Sequence, residues 1–297
     1  MQLTNLVWLA AALGVAAHPS GHAHQHRSFH AANDKRGLAF YKAEHRHPVK
    51  VAAPASTTAP PPVSTPSHSS SYAAAASSLS DASVSDSSAS AYKPFCNGLT
   101  SKRATAAEIA YTGNTGVAGQ WGCNIMLVDQ SVADKYKYTS VYTNRGSQSH
   151  QVTCFNKIGP EGLINGFFGF SAVTFNLAPG EQQVVAFDSN TQGACAFHAG
   201  SLPKTNYGEW AGSWVEFDFE NTSNGGWSGA DCSSLVAQAA GLDVPGCQVC
   251  SSGTCSTIYP GGRADNAYIK GMEADDGVGL NIAPGTARLS VTVGFSG

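Results

Sequence analysis

The segment EWAGSWVEFDFEN, residues 209–221, sets Trp210 and Trp214 among four acids, Glu209, Glu216, Asp218 and Glu220. In a strand, side chains alternate between two faces. One row is then Ala211, Ser213, Val215, Phe217 and Phe219, which suits a core. The other is Trp210, Gly212, Trp214, Glu216, Asp218 and Glu220. Flat indole rings stack on sugar rings, and carboxylates accept hydrogen bonds from sugar hydroxyls. Trp210, Trp214, Glu216, Asp218 and Glu220 are therefore the candidate ligand-binding residues. The same pattern also describes an ordinary antiparallel strand with one buried and one wet face. A bulge at Gly212 would turn Trp210 to the other side.

Catalysis by these acids is the alternative. Same-face neighbours on one strand lie about 6.6–6.8 Å apart, within the roughly 6.5–9.5 Å of inverting glycosidases. Any alternating acidic strand meets that spacing, and no second acid is placed opposite by the sequence. No catalytic residue is assigned.

A second constellation points to copper. His150 in SHQVTCF and the close pair Cys195 and His198 in GACAFHAGSL follow the His, Cys, His order of cupredoxins, which are β-sandwiches. The axial methionine is missing after His198, where Leu202 stands near that position, and a free Cys195 would leave another cysteine unpaired. No metal or cofactor is therefore favoured. GWSGA, residues 226–230, lacks the last glycine of a nucleophile elbow. EADDGVG, residues 273–279, lacks the EF-hand pattern, and neither HExxH nor a P-loop is present. Asn221-Thr222-Ser223 is a glycosylation sequon that would mark the strand end as exposed.

The elements that position these residues read as β. YKYTSVYT alternates Tyr136, Tyr138 and Tyr142 against Lys137, Thr139, Val141 and Thr143, and RLSVTVGF puts Leu289, Val291, Val293 and Phe295 on one face. AVTFNLAPGEQQVVAF reads as strand, Pro-Gly turn, strand. Its Asn176-Leu177-Ala178-Pro179-Gly180 turn is echoed by Asn281-Ile282-Ala283-Pro284-Gly285. One helix is expected over residues 232–240, with Asp231 as N-cap and Gly241 past its end. Short strands with Gly-rich turns give a mostly β fold, an antiparallel β-sandwich with a barrel as the alternative.

The chain begins with an apolar run, Leu6 to Ala17, that ends in Val15-Ala16-Ala17 and suits signal-peptidase cleavage after Ala17. It is shorter than the about 20 residues that span a bilayer, and no later segment reads as a span. Residues 18–50 form a basic, His-rich leader, and residues 51–91 a stalk of Ala, Ser, Thr and Pro that cannot bury enough apolar surface to order itself. Lys35-Arg36 and Lys102-Arg103 are candidate processing sites. The folded domain is expected over residues 92–297. Before Ala104 there are 9 Lys/Arg against 4 Asp/Glu, and from Ala104 onward 8 against 16, so the body is acidic and unsuited to nucleic acid. Cys96, Cys123, Cys154, Cys195, Cys232, Cys247, Cys250 and Cys255 make an even set that suits disulfide pairing in an oxidising compartment, Cys247 and Cys250 of the CxxC included.

WVEFDFENTSNGGWSGADCSSLVAQAAG, GTCSTIYPGG and GMEADDGVGLNIAPG resemble the fungal secreted allergen family typified by Aspergillus fumigatus allergen four, over roughly residues 93–297. The resemblance implies an extracellular fungal protein whose homologues bind human IgE. It carries over no catalytic residue. The expectation is a secreted, non-catalytic protein of the extracellular space or cell wall, with wall polysaccharide and host IgE as partners.

Overall fold

The computed structural model describes residues 91–99 and 113–297, apart from 274 and 276. The expected signal peptide, leader and nearly all of the stalk, and both dibasic pairs, lie outside the described residues. Fifteen strands follow in order: β1 (Gly116–Val117), β2 (Gln120–Trp121), β3 (Ile125–Val128), β4 (Tyr138–Asn144), β5 (His150–Asn156), β6 (Val173–Leu177), β7 (Gln182–Phe187), β8 (Thr191–Ala199), β9 (Ser213–Asn221), β10 (Trp227–Ser233), β11 (Cys247–Ser251), β12 (Thr254–Ile258), β13 (Ala264–Asp265), β14 (Leu280–Ile282) and β15 (Ala287–Val293). The first two form a small hairpin. The others build a six-stranded sheet, β14-β10-β9-β8-β5-β6, and a seven-stranded sheet, β13-β12-β11-β15-β4-β7-β3.

The two sheets share one core, so the molecule is the expected β-sandwich. Val215, Phe217 and Phe219 of β9 meet Tyr138 and Tyr142 of β4, Phe187 of β7, and Leu289, Val291 and Val293 of β15. The rings of Phe187, Phe217 and Phe219 lie with centroids 4.5–5.5 Å apart. The alternation of β4, β9 and β15 is thus satisfied on its apolar side. One pairing departs from the antiparallel pattern: β15 lies parallel to β4, from Ala287 opposite Tyr138 to Val293 opposite Asn144.

The two Ala-Pro-Gly turns do the same job. Ala178-Pro179-Gly180 takes the chain from β6, an edge of the six-stranded sheet, to β7. Ala283-Pro284-Gly285 takes it from β14, the opposite edge, to β15. Strands β7 and β15 flank β4. Each turn therefore crosses between sheets; neither closes a hairpin.

The helix is shorter than expected. Helix α1 covers Leu235–Ala239 with Ser234 at its N-cap, and Asp231 and Cys232 belong to β10. Cys232 is held in the ladder opposite Val215, which keeps the chain extended to Ser233. Disulfides join Cys96 to Cys123, Cys154 to Cys195, Cys232 to Cys247 and Cys250 to Cys255, and no cysteine is free. Cys154 and Cys195 face each other across β5 and β8, and Cys250 and Cys255 across β11 and β12. Among the described residues no helix is long and apolar enough to cross a membrane.

Candidate functional site

Strand β9 is buried on both faces. Opposite the core row, Trp214 is 2 % exposed, Glu216 5 % and Asp218 3 %, so the expected wet face is covered. The cover is a second apolar cluster in which Trp214 packs with Phe155 of β5, Ala194 and Ala196 of β8, and Val236 of α1. Phe167, Leu202 and Ala211, from the connections after β5 and β8, complete it. The Trp214 ring meets Phe155 edge-on at 5.2 Å, and its Nε1 donates to the Trp210 carbonyl at 3.1 Å. Trp214 is a core residue.

The polar end of the same face is buried as well. Cross-strand register sets Glu216 opposite Asp231 of β10, and Asp218 opposite Gln192 of β8. Lys157 Nζ donates to Gln192 Oε1 at 2.7 Å. Burial pulls the Lys157 amine down to about 8, against the favourable charge of Asp218. Glu216 and Asp231 are thus cross-strand neighbours. Both are buried, Asp231 completely, which separates them from a polymer in solution.

Glu220 leaves this face altogether. A register irregularity between Trp227 and Gly229 accompanies a left-handed Glu220, at φ 52°. The carboxylate is thereby turned toward the seven-stranded sheet, where it accepts from Tyr138 Oη at 2.7 Å and pairs with Lys137 at 3.0 Å. Burial works against ionisation, yet hydrogen bonds from Ser189, Tyr138 and Lys137 hold its carboxyl below the usual range. Burial pushes the Tyr138 hydroxyl up to about 12.

Asn221 is fully buried, contrary to the exposed sequon expected. Its Nδ2 donates to Asp218 Oδ2 at 2.6 Å, and its Oδ1 accepts from the Ser223 amide and hydroxyl. A glycan on Nδ2 has no room in this arrangement. Folded protein secreted from a glycosylating host is expected to carry an unmodified Asn221; peptide mass mapping that found a glycan on it at high occupancy would overturn that assignment.

The copper constellation is also dispersed. Cys195 is bonded to Cys154, which removes the thiolate. His150 lies on the core side of β5, where burial keeps its imidazole below the usual range and its Nδ1 lies 3.0 Å from the Gln148 carbonyl. His198 belongs to the opposite face of β8, alternating with the core residue Phe197. Among the described residues no three His, Cys, Asp or Glu side chains are grouped to hold a metal ion.

Besides Glu220, one candidate ligand residue stays accessible. The extended strand ends at Ser213, because Gly212 sits at φ +141° where a Cβ would strike the Phe197 carbonyl. Trp210 therefore belongs to the loop before β9 and is half-buried there. Its amide donates to the Phe167 carbonyl at 2.9 Å and its Nε1 to the Phe170 carbonyl at 2.8 Å. Lys204 Nζ stands 4.2 Å from the centre of its ring, a cation–π contact. Gly169 beside it is favoured by its left-handed φ of +81°, and a Cβ there would also displace the Lys204 ammonium, at 2.7 Å.

Other rings gather at this loop pair. Half-buried Trp121 lies 5.9 Å from the Phe170 ring and donates through Nε1 to the Ile158 carbonyl at 3.0 Å. Tyr207 is 43 % exposed at the tip of a tight turn. That turn is braced by Thr205, whose amide donates to the Glu209 carbonyl at 2.9 Å and whose hydroxyl donates to the Glu209 carboxylate at 3.1 Å. Alternation could not reveal Lys204, Phe170 or Tyr207, which lie in irregular segments, nor Trp121, whose strand β2 has only two residues. Their available signal was aromatics interleaved with glycine, in NGFFGF and NYGEW.

The description "Allergen Asp f 4-like domain" belongs to a family profile that matches residues 123–293, from Cys123 to the last residue of β15. Allergen Asp f 4 of Aspergillus fumigatus is 38 % identical over 191 residues, a match spanning 63 % of this chain and 59 % of that relative. Two solved structures align more distantly. The protein elicitor MoHrip2 from Magnaporthe oryzae aligns over 53 % of this chain and 99 % of its own, at TM-score 0.34 and 12 % identity. The thaumatin-like xylanase inhibitor TLXI aligns over 52 % and 97 %, at TM-score 0.32 and 13 % identity. With the family profile covering more than half of the sequence, the chain belongs to the Allergen Asp f 4-like family.

Proposed function

We propose that this protein is a secreted, non-catalytic, cell-wall-associated protein that binds neutral polysaccharide through the loop surface of Trp210, Phe170, Trp121 and Tyr207. The observation that carries this reading is Trp210, half-buried, with its ring held by the Nε1 hydrogen bond to Phe170 and its backbone by the amide bond to Phe167, and the Lys204 ammonium over the ring. A fixed indole loses little freedom when a sugar ring stacks on it, and a neighbouring ammonium can donate to sugar oxygens. Secretion is supported by the apolar leader and by eight cysteines all in disulfides. A non-catalytic role is supported by the burial of Glu216, Asp218 and Asp231. Recognition by host IgE belongs to the same proposal and is supported by the allergen name of its relative.

The test uses the secreted full chain on chitin, β-glucan and mannan, beside Trp210→Ala. The expected result is retention of the wild type on at least one polymer and about tenfold weaker binding by the variant, or about 1.4 kcal/mol. Equal retention of both proteins would remove the loop surface from the reading. New reducing ends during incubation would instead make the protein an enzyme on wall polysaccharide.

A further inference from the structure

The outward face of the seven-stranded sheet carries a row that crosses six strands. Register places Asp265 of β13 beside Thr257 of β12, Thr257 beside Gln248 of β11, and Gln248 beside Thr292 of β15. Thr292 then stands beside Thr143 of β4, and Thr143 beside Gln182 of β7. The residues alternating with them, among them Val249, Val291, Val293 and Tyr142, point into the sandwich core, so the row faces outward. Gln248 Nε2 donates to Thr257 Oγ1 at 3.2 Å, and Gln182 Nε2 donates to Thr143 Oγ1 at 3.0 Å. These bonds fix the two amides over the two hydroxyls; Thr257 and Thr143 are buried beneath them, Gln248 and Thr292 are half-exposed, and Gln182 and Asp265 are exposed.

We propose that this row is a second glycan-binding surface, on which one strand of a neutral, hydroxyl-rich polysaccharide lies across β12, β11, β15, β4 and β7. The proposal rests on the polysaccharide reading above and extends it to a separate face. Two features select the occupant. Only the terminal Asp265 is charged, so the row offers hydroxyls and amides, which suit a neutral polyol better than an anionic polymer. The strands lie about 4.8 Å apart, so Gln248 and Thr292 on adjacent strands are separated by a distance comparable to one sugar ring, and Gln182 and Asp265 each stand two strands away on either side. Neighbouring strands are also rotated by roughly 20–25°. The row therefore coils, and a single flexible chain can follow it where the flat face of a crystalline polymer cannot.

The experiment compares the wild-type full chain with Thr292→Val, Gln248→Ala/Thr292→Val and Trp210→Ala. Readouts are affinity electrophoresis in soluble β-glucan and in soluble mannan, retention on crystalline chitin, melting temperature and sedimentation velocity. The expected result is about tenfold weaker affinity of the Gln248→Ala/Thr292→Val protein for a soluble glycan, at unchanged melting temperature and unchanged chitin retention. Thr292→Val is the fold control, since valine keeps shape and strand preference while removing the hydroxyl. Weakening by Trp210→Ala alone overturns the row and leaves the loop reading standing. Weakening by the row variants alone supports the row and removes the loop. No retention of wild type on any glycan overturns both. A row substitution that changes sedimentation rather than glycan affinity identifies the face as a contact between copies of the chain and overturns the proposal.

Discussion

Trp214→Ala is expected to destabilise the protein by about 3–5 kcal/mol, the range for emptying a buried aromatic site. Its thermal midpoint should fall on the order of 10 °C. Trp210→Ala, four residues earlier, should cost a fraction of that and act mainly on ligand retention. The contrast follows from placement. Trp214 is 2 % exposed between Phe155 and Phe167, with its Nε1 on the Trp210 carbonyl, so alanine leaves a cavity lined by two rings. Trp210 lies partly exposed at the edge of the same cluster, so its loss strips a smaller share of packing, the Lys204 contact and one hydrogen bond to Phe170. Thermal melts of both variants beside wild type check this. Equal losses would mean that the Trp210 loop is as much part of the core as Trp214.

Stability should rise from about pH 8 to about pH 10 and fall above it. Buried Lys157 titrates near 8 in the folded protein against an ordinary 10.5. Between those values the unfolded chain binds the proton more strongly, so raising the pH favours the folded state. Relief of that buried charge is on the order of 3 kcal/mol across the window. Above pH 10 the sign reverses. Burial raises Tyr138 to about 12 and Tyr142 further in the same direction, so the folded protein keeps phenolic protons that the unfolded chain loses. Urea midpoints measured from pH 7 to 11 should show the maximum, and Lys157→Met should flatten its rising side while leaving the fall. A rise unchanged in Lys157→Met would place its source in another group.

How far the sequence reached is clearest on β9. The alternation of Val215, Phe217 and Phe219 correctly implied a core row, because that pattern is local to the strand. The fate of Trp214, Glu216 and Asp218 was not local. It depends on the irregular segments carrying Phe167 and Leu202, which have no periodicity to announce that they fold over the sheet. Glu220 failed for a different reason: a single left-handed residue reversed the direction that alternation assigned to it. The repeated Ala-Pro-Gly turn was legible as a turn. Its crossing between sheets was not, since hairpin and crossover share the same local chemistry. For the cysteines, an even count implied bonding, while the partners emerged only from the fold: Cys247 bonds Cys232 of the other sheet and Cys250 bonds Cys255 of the adjacent strand.

The position of β15 bears on how the molecule is made. It sits between β11 and β4, so the β11–β13 half of the seven-stranded sheet reaches the β3, β4 and β7 half only through it. Its partner Tyr138 is synthesised long before Ala287. Such distant pairing raises contact order and slows folding. A growing chain therefore carries β4 with an unpaired edge until β15 leaves the ribosome, and the two halves of the sheet join only after that. Chains stopped before Ala287 are expected to expose that edge and aggregate.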